Sequence, residues 1–281
     1  MNGFFNIYKS SGTNSTFIVN KIKRITKTPC GHMGTLDPMA SGILPVAVGK
    51  STRLFDYLTD KIKVYIAEFT FGYETDTLDA TGETLSTSLV IPTKEQIEKV
   101  LSKFVGLINQ VPPKYSANSI NGKRGYELAR KGIDFTPNVK QVNVYSFSLL
   151  EQIADNKFIF KIECGKGTYI RSLCRDLAYE LNTLGTMSAL ERIQSGVFTK
   201  ETAISVEELE QNPEKYLIPA DSVLSYEKVY LTDKQTKNML NGVFDITGYN
   251  QDEFYRVYSP TEFLGIGWVV NGVLKIKSYV R

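Results

Sequence analysis

The sequence is poor in the side chains that build metal centres and disulfide frameworks. It contains one histidine, His32, and three cysteines, Cys30, Cys164 and Cys174. A single histidine excludes a centre built from several histidines, and the cysteines are odd in number and lack the spacing of metal ligands. We therefore expect no metal site and no disulfides, which leaves carboxylate, phenol, cation and backbone groups for any chemistry.

Long apolar runs are also missing. No stretch approaches the ~18 residues of a membrane-spanning helix, and residues 1–12 lack the basic and then apolar pattern of a signal peptide. With 281 residues, 42% hydrophobic and 22% charged, the composition is that of an ordinary soluble globular protein, which we expect in the cytoplasm. The length allows one large domain or a large domain and a small one.

Acidic residues are nearly absent from positions 1–53, where Asp37 is the single acid among seven cations. Nearby positive charge attracts a polyanion and favours the ionised form of a carboxylate, which suits a nucleophile or a base. Asp37 precedes a proline and lies among Gly31, Gly34 and Gly42, so we expect it on a loop and not within a helix. The alternative is that Asp37 caps the turn that follows.

A second basic segment covers residues 112–140, with six cations against two acids. Pro112-Pro113 cannot lie inside a helix and Asn121-Gly122 is a turn signal, so we predict a protruding loop. Its aromatic and basic side chains are interleaved, which suits single-stranded or looped nucleic acid. The alternative is that both basic segments are solvated helix faces.

Hydrophobic periodicity predicts an α+β fold. Strands are predicted at 4–9, 63–71, 141–151 and 157–163, and helices at 14–28, 51–59, 93–106, 126–131 and 169–181. Long strands with irregularly placed helices favour this class over a repeating βα wind. Residues 219–222 resemble a linker, and the tail contains a hairpin pattern around Asn271-Gly272. We therefore predict a large domain over 1–218 and a small β-rich domain over 219–281.

Five motifs follow one another along the chain. They are Gly31-His32-Met33-Gly34-Thr35-Leu36-Asp37-Pro38, Asp76-Thr77-Leu78-Asp79-Ala80-Thr81-Gly82, Pro112-Pro113-Lys114-Tyr115-Ser116-Ala117, Gly122-Lys123-Arg124-Gly125-Tyr126-Glu127-Leu128-Ala129-Arg130 and Gly165-Lys166-Gly167-Thr168-Tyr169-Ile170-Arg171-Ser172-Leu173. Together and in this order they resemble the TruB family of tRNA pseudouridine-55 synthases. The resemblance implies the pseudouridine synthase fold, a mixed and mainly antiparallel sheet with flanking helices. The tail resembles a reduced PUA-like RNA-binding domain.

The resemblance also implies an activity. The protein would break the glycosidic bond of uridine-55 in the T-loop of tRNA, with the base flipped out, and rejoin it through C5 without metal or cofactor. The catalytic residues would be Asp37 as the acting carboxylate, Tyr65, which would stack on the uracil and could move a proton, and Arg171, which would pair with Asp37. The other substrate-binding positions that the resemblance implies are His32, Tyr169, Leu190, Lys123 and Arg124. The implied partner is the T-arm of tRNA, bound by a monomer.

The residues by themselves leave simpler roles open. Tyr65 lies in an apolar strand and is typical of a core residue, Arg171 could be a surface cation, and His32 could be a turn residue. The sequence also departs from the family pattern. Asn118 and Ser119 stand where an apolar residue and a lysine are usual, which removes one expected phosphate contact. Glu191 stands where an arginine is more frequent, and we expect it to repel RNA mildly.

Two other functions fit parts of the pattern. An RNA chaperone would use the basic loop equally well, but it would leave the carboxylate of Asp37 without a role. A phosphoryl-transfer enzyme could use Asp37 as its nucleophile. This second function is disfavoured because no Asp-x-Asp metal pair or Walker-type glycine loop accompanies the site.

Overall fold

The computed structural model describes residues 1–58, 61–116, 118–120 and 123–280, and for residues 119, 120, 123 and 124 it describes the backbone. The strands, in chain order, are β1 (Gly3–Lys9), β2 (Cys30–His32), β3 (Ser41–Val48), β4 (Lys63–Phe71), β5 (Tyr73–Thr75), β6 (Thr84–Thr87), β7 (Gly106–Gln110), β8 (Ser119–Ile120), β9 (Lys123–Arg124), β10 (Lys140–Ala154), β11 (Lys157–Cys164), β12 (Gly185–Ser195), β13 (Phe198–Thr199), β14 (Glu227–Tyr230), β15 (Phe254–Tyr258), β16 (Phe263–Val270) and β17 (Val273–Tyr279). The α-helices are α1 (Ser15–Thr26), α2 (Lys94–Leu101), α3 (Gly125–Arg130), α4 (Ile170–Glu180), α5 (Val206–Gln211) and α6 (Asp233–Leu240).

The large sheet is mixed and mainly antiparallel. Its strands are ordered β1-β3-β12-β4-β11-β10-β7, with β2 beside β3 and β13 beside β12. The pairing of β12 with β3 is parallel, and the neighbouring pairings of β12 with β4 and of β3 with β1 are antiparallel. The predicted α+β class and sheet type are therefore confirmed.

Both faces of the amino-terminal strand are covered. Phe5 and Ile7 of β1 belong to the main core, to which α1 contributes Ile22. Phe4 points the other way, into a second cluster that includes Ile266 from β16 of the small domain. Because side chains alternate along a strand, one short strand joins the two cores. All but one of its residues are consequently buried.

Most of the predicted elements are present, with changed ends. Strands β1, β4, β10 and β11 correspond to the predicted strands, and α1 and α4 to the predicted helices. The helix predicted over 51–59 is a 3₁₀ segment over Gly49–Tyr57, and residue 59 lies outside the described part of the chain. Helix α2 begins where predicted, after a capping box formed by Thr93 and Gln96, but ends at Leu101 and not at residue 106.

Strand β12 is a central strand that the sequence did not predict. Its residues include threonine, two serines, glutamate, arginine and glutamine, so its own β-propensity is weak. It is held by pairing with β4 along its whole length and with β3 near its carboxyl half. At the crossing, Gly42 has a φ of +110°, and a Cβ there would lie 2.2 Å from the Arg192 carbonyl oxygen. Glycine is therefore required at this position.

The carboxyl-terminal part forms a separate β-rich domain. Its sheet has the order β14-β15-β16-β17, and α6 packs against it through Met239. Strands β16 and β17 form the predicted hairpin. Asn271 and Gly272 at its turn have φ values of 52° and 74°, as a two-residue turn between twisted strands requires.

Candidate active site

Asp37 lies on the loop between β2 and β3, as predicted. Ser15 at the start of α1 holds this loop before the carboxylate. Its hydroxyl donates to the Leu36 carbonyl at 2.9 Å and accepts from the Leu36 N–H at 3.0 Å. After the carboxylate, the Lys9 ammonium donates to the Ala40 carbonyl at 2.6 Å. The loop is thus fixed on both sides of Asp37.

Lys9 is an anchor and not a surface charge. Its side chain is fully buried, and burial lowers its pKa to about 8. Besides Ala40, its ammonium donates to the carbonyls of Ser10, Thr13 and Pro38. The charge of Asp37 acts against this pKa shift, so the buried Lys9 ammonium remains part of the positive field predicted around Asp37.

Arg171 lies in the first turn of α4 and has 7% of its side chain exposed. Its Nη2 lies 2.9 Å from Oδ2 of Asp37 and donates to the Tyr115 carbonyl at 3.0 Å. Its Nη1 lies 3.4 Å from Oδ2 of Asp79 and donates to the Thr77 carbonyl at 2.9 Å. One buried guanidinium therefore joins three segments that are distant in sequence.

Asp79 is a site residue to which the sequence analysis gave no role. Its carboxylate is nearly buried, with 6% exposed. Oδ1 accepts from the Thr77 hydroxyl at 2.9 Å, the Thr81 N–H at 3.0 Å and the Thr81 hydroxyl at 2.5 Å. Oδ2 is left facing Arg171. The threonines on either side of Asp79 in the 76–82 motif indicate a turn that is hydrogen-bonded by the Asp79 side chain. They do not indicate that the Asp79 carboxylate pairs with Arg171.

A cavity of about 540 Å³ opens beside the Asp37–Arg171 pair. Tyr65, Tyr169 and Leu190 line it together with Asp37 and Arg171, so these five predicted positions meet in one place. Burial raises the pKa of Tyr65, against the opposing charge of Arg192, and burial also raises the pKa of Tyr169. Both phenols therefore stay protonated at neutral pH. A carboxylate next to aromatic and aliphatic walls suits a planar ring.

Arg192 forms another part of the cavity lining. Its side chain is 1% exposed, and it donates from Nε to the Ile43 carbonyl at 2.7 Å and from Nη2 to the Gly34 carbonyl at 3.0 Å. Burial and the charge of Arg192 lower the pKa of Lys63, which also lines the cavity. Neither Arg192 nor Lys63 was predicted from the sequence as a site residue. The cations in the lining favour an anionic group on whatever enters.

The basic segment over 112–140 is an insertion between β7 and β10. It contributes a wall of the same cavity through α3. Tyr126 and Arg130 line it, and the Arg130 guanidinium lies 5.8 Å from the Tyr126 ring centroid. The side chains of Lys123 and Arg124, predicted to bind substrate, lie outside the described residues. Asn118 accepts a hydrogen bond from Lys140, which places a cation next to one of the three positions where the sequence departs from the family pattern.

His32 lies in a neighbouring cavity of about 250 Å³ and not in that of Asp37. Lys63 lines both cavities, and Lys61 and Lys166 line the smaller one. Burial, with a smaller contribution from the charge of Arg192, lowers the pKa of His32. The imidazole is therefore neutral at pH 7.

Glu191 does not present a free charge to RNA. Its carboxylate lies 2.6 Å from the Lys200 ammonium and accepts from the Tyr8 hydroxyl at 2.7 Å. Although burial acts to raise it, the pKa of Glu191 is lowered by these contacts. Leu190 and Arg192 line the cavity while the Glu191 carboxylate is bound by Lys200 and Tyr8, so its charge is compensated within the protein and the expected repulsion of RNA stays a prediction.

Two family patterns match the chain in succession. Residues 21–170 match the TruB family pseudouridylate synthase (N terminal domain), which is more than half of the chain. The chain belongs to the TruB family. Residues 171–225 match the tRNA pseudouridylate synthase B C-terminal domain. As a TruB-family pseudouridine synthase, the protein is an isomerase.

Curated members of the TruB family align with nearly the whole chain. The tRNA pseudouridine synthase B of Clostridium perfringens (strain 13 / Type A) is 44% identical over 278 residues, 95% of each chain. That of Clostridium novyi (strain NT) is 42% identical over 287 residues, 99% of each chain. That of Mycoplasma mobile is 38% identical over 276 residues, 97% of this chain and 92% of the relative.

Solved structures share the TruB-family fold. A chain in the structure of an H/ACA RNP bound to a substrate RNA containing 2′-deoxyuridine has a TM-score of 0.73 at 22% identity. A chain in a Cbf5-Nop10-Gar1 complex has a TM-score of 0.73 at 24% identity. Each likeness covers 99% of this chain and 85% of the other.

Within the described residues, no helix of this TruB-family protein is both long and apolar enough to span a bilayer.

Proposed function

We propose that this TruB-family synthase converts uridine-55 in the T-loop of tRNA into pseudouridine, with Asp37 as the acting carboxylate. The observation that carries the proposal is the 2.9 Å pair of Asp37 with the buried Arg171 beside an aromatic-lined cavity. Relatives named tRNA pseudouridine synthase B support tRNA as the substrate. RNA of this kind is recognised through its shape and its loop contacts.

The target uridine must leave its stack to reach a carboxylate that lies in a cavity. In the proposal, Tyr65 stacks on the flipped uracil, and Tyr169 and Leu190 complete the wall around it. A cavity of about 540 Å³ also has room for the attached ribose and phosphate. The cost of unstacking is offset by burial of the base between these side chains.

The proposed reaction is an isomerisation in which atoms balance without a co-reactant. The bond between N1 of uracil and C1′ of ribose breaks, the base turns, and a bond forms between C5 and C1′. C5 loses its hydrogen as a proton and N1 gains one. Arg171 holds Oδ2 of Asp37, which leaves Oδ1 for the substrate. That oxygen can attack the ribose carbon, attack the base, or assist removal of a ribose proton.

Residues around the cavity are proposed to hold the RNA. Arg130 and Tyr126 offer a cation and a ring at the cavity wall, and Lys123 and Arg124 in the same insertion are proposed phosphate contacts. His32 is proposed to occupy the stack vacated by flipped bases. We further propose that residues 219–281 form a PUA-like domain that assists binding, and that the protein acts in the cytoplasm as a monomer without metal or cofactor.

The test uses the purified full chain with an unmodified tRNA transcript, followed by nucleoside mass mapping of the T-loop. Wild type is expected to produce pseudouridine at position 55. Asp37→Asn is expected to bind tRNA in a gel shift and to produce none. Asp155→Asn, which removes a carboxylate from an exposed turn, is the matched control and keeps full activity.

Three results would count against the proposal or a part of it. Substantial product from Asp37→Asn would remove Asp37 from the chemistry. Tight binding by wild type without product, under conditions with and without added divalent metal, would favour an RNA chaperone. Product at another uridine would keep the reaction and overturn the site specificity.

A further inference from the structure

Gln110, the last residue of β7, is fully buried next to the active-site helix. Both ends of its side-chain amide bond to the main chain of one residue, Tyr169. The Tyr169 N–H donates to Oε1 at 2.8 Å, and Nε2 donates to the Tyr169 carbonyl at 3.0 Å. The side-chain amide thus pairs with the Tyr169 main chain through two hydrogen bonds, as a neighbouring strand would, although the two residues lie 59 positions apart in the sequence.

The hydrogen bonds from Gln110 hold Tyr169 at the point where α4 begins. It precedes α4 with φ −102° and ψ 110°, and no side chain caps the helix from this position. The first N–H groups of a helix lack partners within the helix, so the start of α4 needs bonds from outside. The Tyr169 ring lines the Asp37 cavity, and Arg171 follows two residues later.

The next residue of the chain is fastened to the same helix. The Val111 carbonyl accepts from the Ser172 hydroxyl at 2.8 Å and from Nη2 of Arg175 at 3.0 Å. The root of the insertion, which consists of Gln110 and Val111, is therefore hydrogen-bonded to the start of α4 at two successive positions. A shift of this root would move the Tyr169 ring and the Arg171 guanidinium together.

We propose that Gln110 is a positioning residue, which sets the place of Tyr169 and of Arg171 in the cavity without touching substrate. This inference rests on the proposed function. The main chain of Tyr169 presents one donor and one acceptor, and a primary amide supplies the complementary pair. A glutamate in the same place would lack the donor and would direct negative charge at the Tyr169 carbonyl. A methionine would fill the space and make neither bond.

The experiment measures kcat and KM on unmodified tRNA for wild type, Gln110→Met and Gln110→Glu. Because displacement of a reacting group by about 1 Å can cost ~100-fold in rate, we expect kcat to fall at least about tenfold in both variants. KM is expected to stay within about twofold, since most of the RNA contacts lie elsewhere.

Asn6 provides the matched control. It is 2% exposed, and its Nδ2 donates to the Thr199 carbonyl and the Thr202 hydroxyl, both at 2.8 Å. It does not line the Asp37 cavity. Asn6→Leu therefore loses a comparable pair of buried bonds. It is expected to lower the melting temperature and to leave kcat unchanged at temperatures where the protein is folded.

The outcomes separate this inference from the proposed function. An unchanged kcat in Gln110→Met, with a lower melting temperature alone, would make Gln110 a purely structural residue. A higher KM with unchanged kcat would make the insertion root an RNA-binding element. Hydrogen exchange of the peptide 169–175 supplies a readout that needs no activity. Faster exchange there in Gln110→Met but not in Asn6→Leu supports positioning, and equal exchange overturns it even if wild type makes no pseudouridine.

Discussion

Replacement of Asp79 by asparagine tests whether Arg171 must pair with Asp79 in order to hold the Asp37 carboxylate in place. The asparagine oxygen can keep the hydrogen bonds from Thr77 and Thr81. Its NH₂ group then lies where Oδ2 stood, 3.4 Å from the Arg171 guanidinium, so that two donors face each other. We expect the guanidinium to move away from Asp79 and to lose its fixed orientation towards Asp37.

The size of the effect follows from the contact that is lost. Removing one partner of a buried ion pair costs roughly 3–5 kcal/mol, and we take about 2 kcal/mol because the 3.4 Å contact is long and Arg171 keeps Asp37 as a partner. If the whole loss appears in the transition state, the rate falls about 30-fold, since about 1.4 kcal/mol corresponds to a factor of ten. The free energy of unfolding is expected to fall by a similar amount, because both side chains are buried.

Single-turnover rates on unmodified tRNA, with affinity measured by filter binding, check this prediction. Affinity should stay within about twofold, because Asp79 is buried and makes its contacts within the protein. Glu68→Gln is the control. Glu68 accepts from Ser188 at 2.6 Å and pairs with Lys157 at 3.2 Å, but it does not line the Asp37 cavity. A folded Asp79→Asn protein with the wild-type rate would refute the reasoning.

Three further predictions concern stability and RNA affinity. Gly42→Ala should lower the free energy of unfolding by at least about 2 kcal/mol in urea denaturation, because its Cβ would lie 2.2 Å from the Arg192 carbonyl oxygen. The folded pKa of His32 lies below its ordinary 6.5, so the unfolded chain binds more protons between these values and stability is lost as pH falls through that window. His32→Gln should flatten this slope in urea titrations at pH 7 and pH 5, and an unchanged slope would assign it to other groups. Arg130→Gln should reduce the slope of log Kd against log salt for a T-arm RNA by about 0.7–0.9, and an unaltered slope would remove Arg130 from the phosphate contacts.

The sequence by itself determined the local features of this protein. The Leu36-Asp37-Pro38 run placed Asp37 on a loop because a residue before proline avoids the helical region. A run rich in β-branched and aromatic residues defined β4, and Asn271-Gly272 defined the hairpin turn. Each of these signals arises from the preferences of a few neighbouring residues, so no knowledge of the rest of the chain is needed to read it. The five motifs carried the family resemblance, and the resemblance added the sheet type and the predicted positions that line the cavity.

The tertiary structure alone decided which of these local features meet. Strand β12 exists because β3 and β4 flank it, and its weak propensity gave no sign of that. Asp79 and Gln110 gain their roles from Arg171 and Tyr169, which lie 92 and 59 positions away in the chain. Glu191 is neutralised by Lys200, on a different element. Side-chain partners across a sheet depend on strand order and register, and these are fixed by the packing of the whole core, which local sequence preferences do not encode.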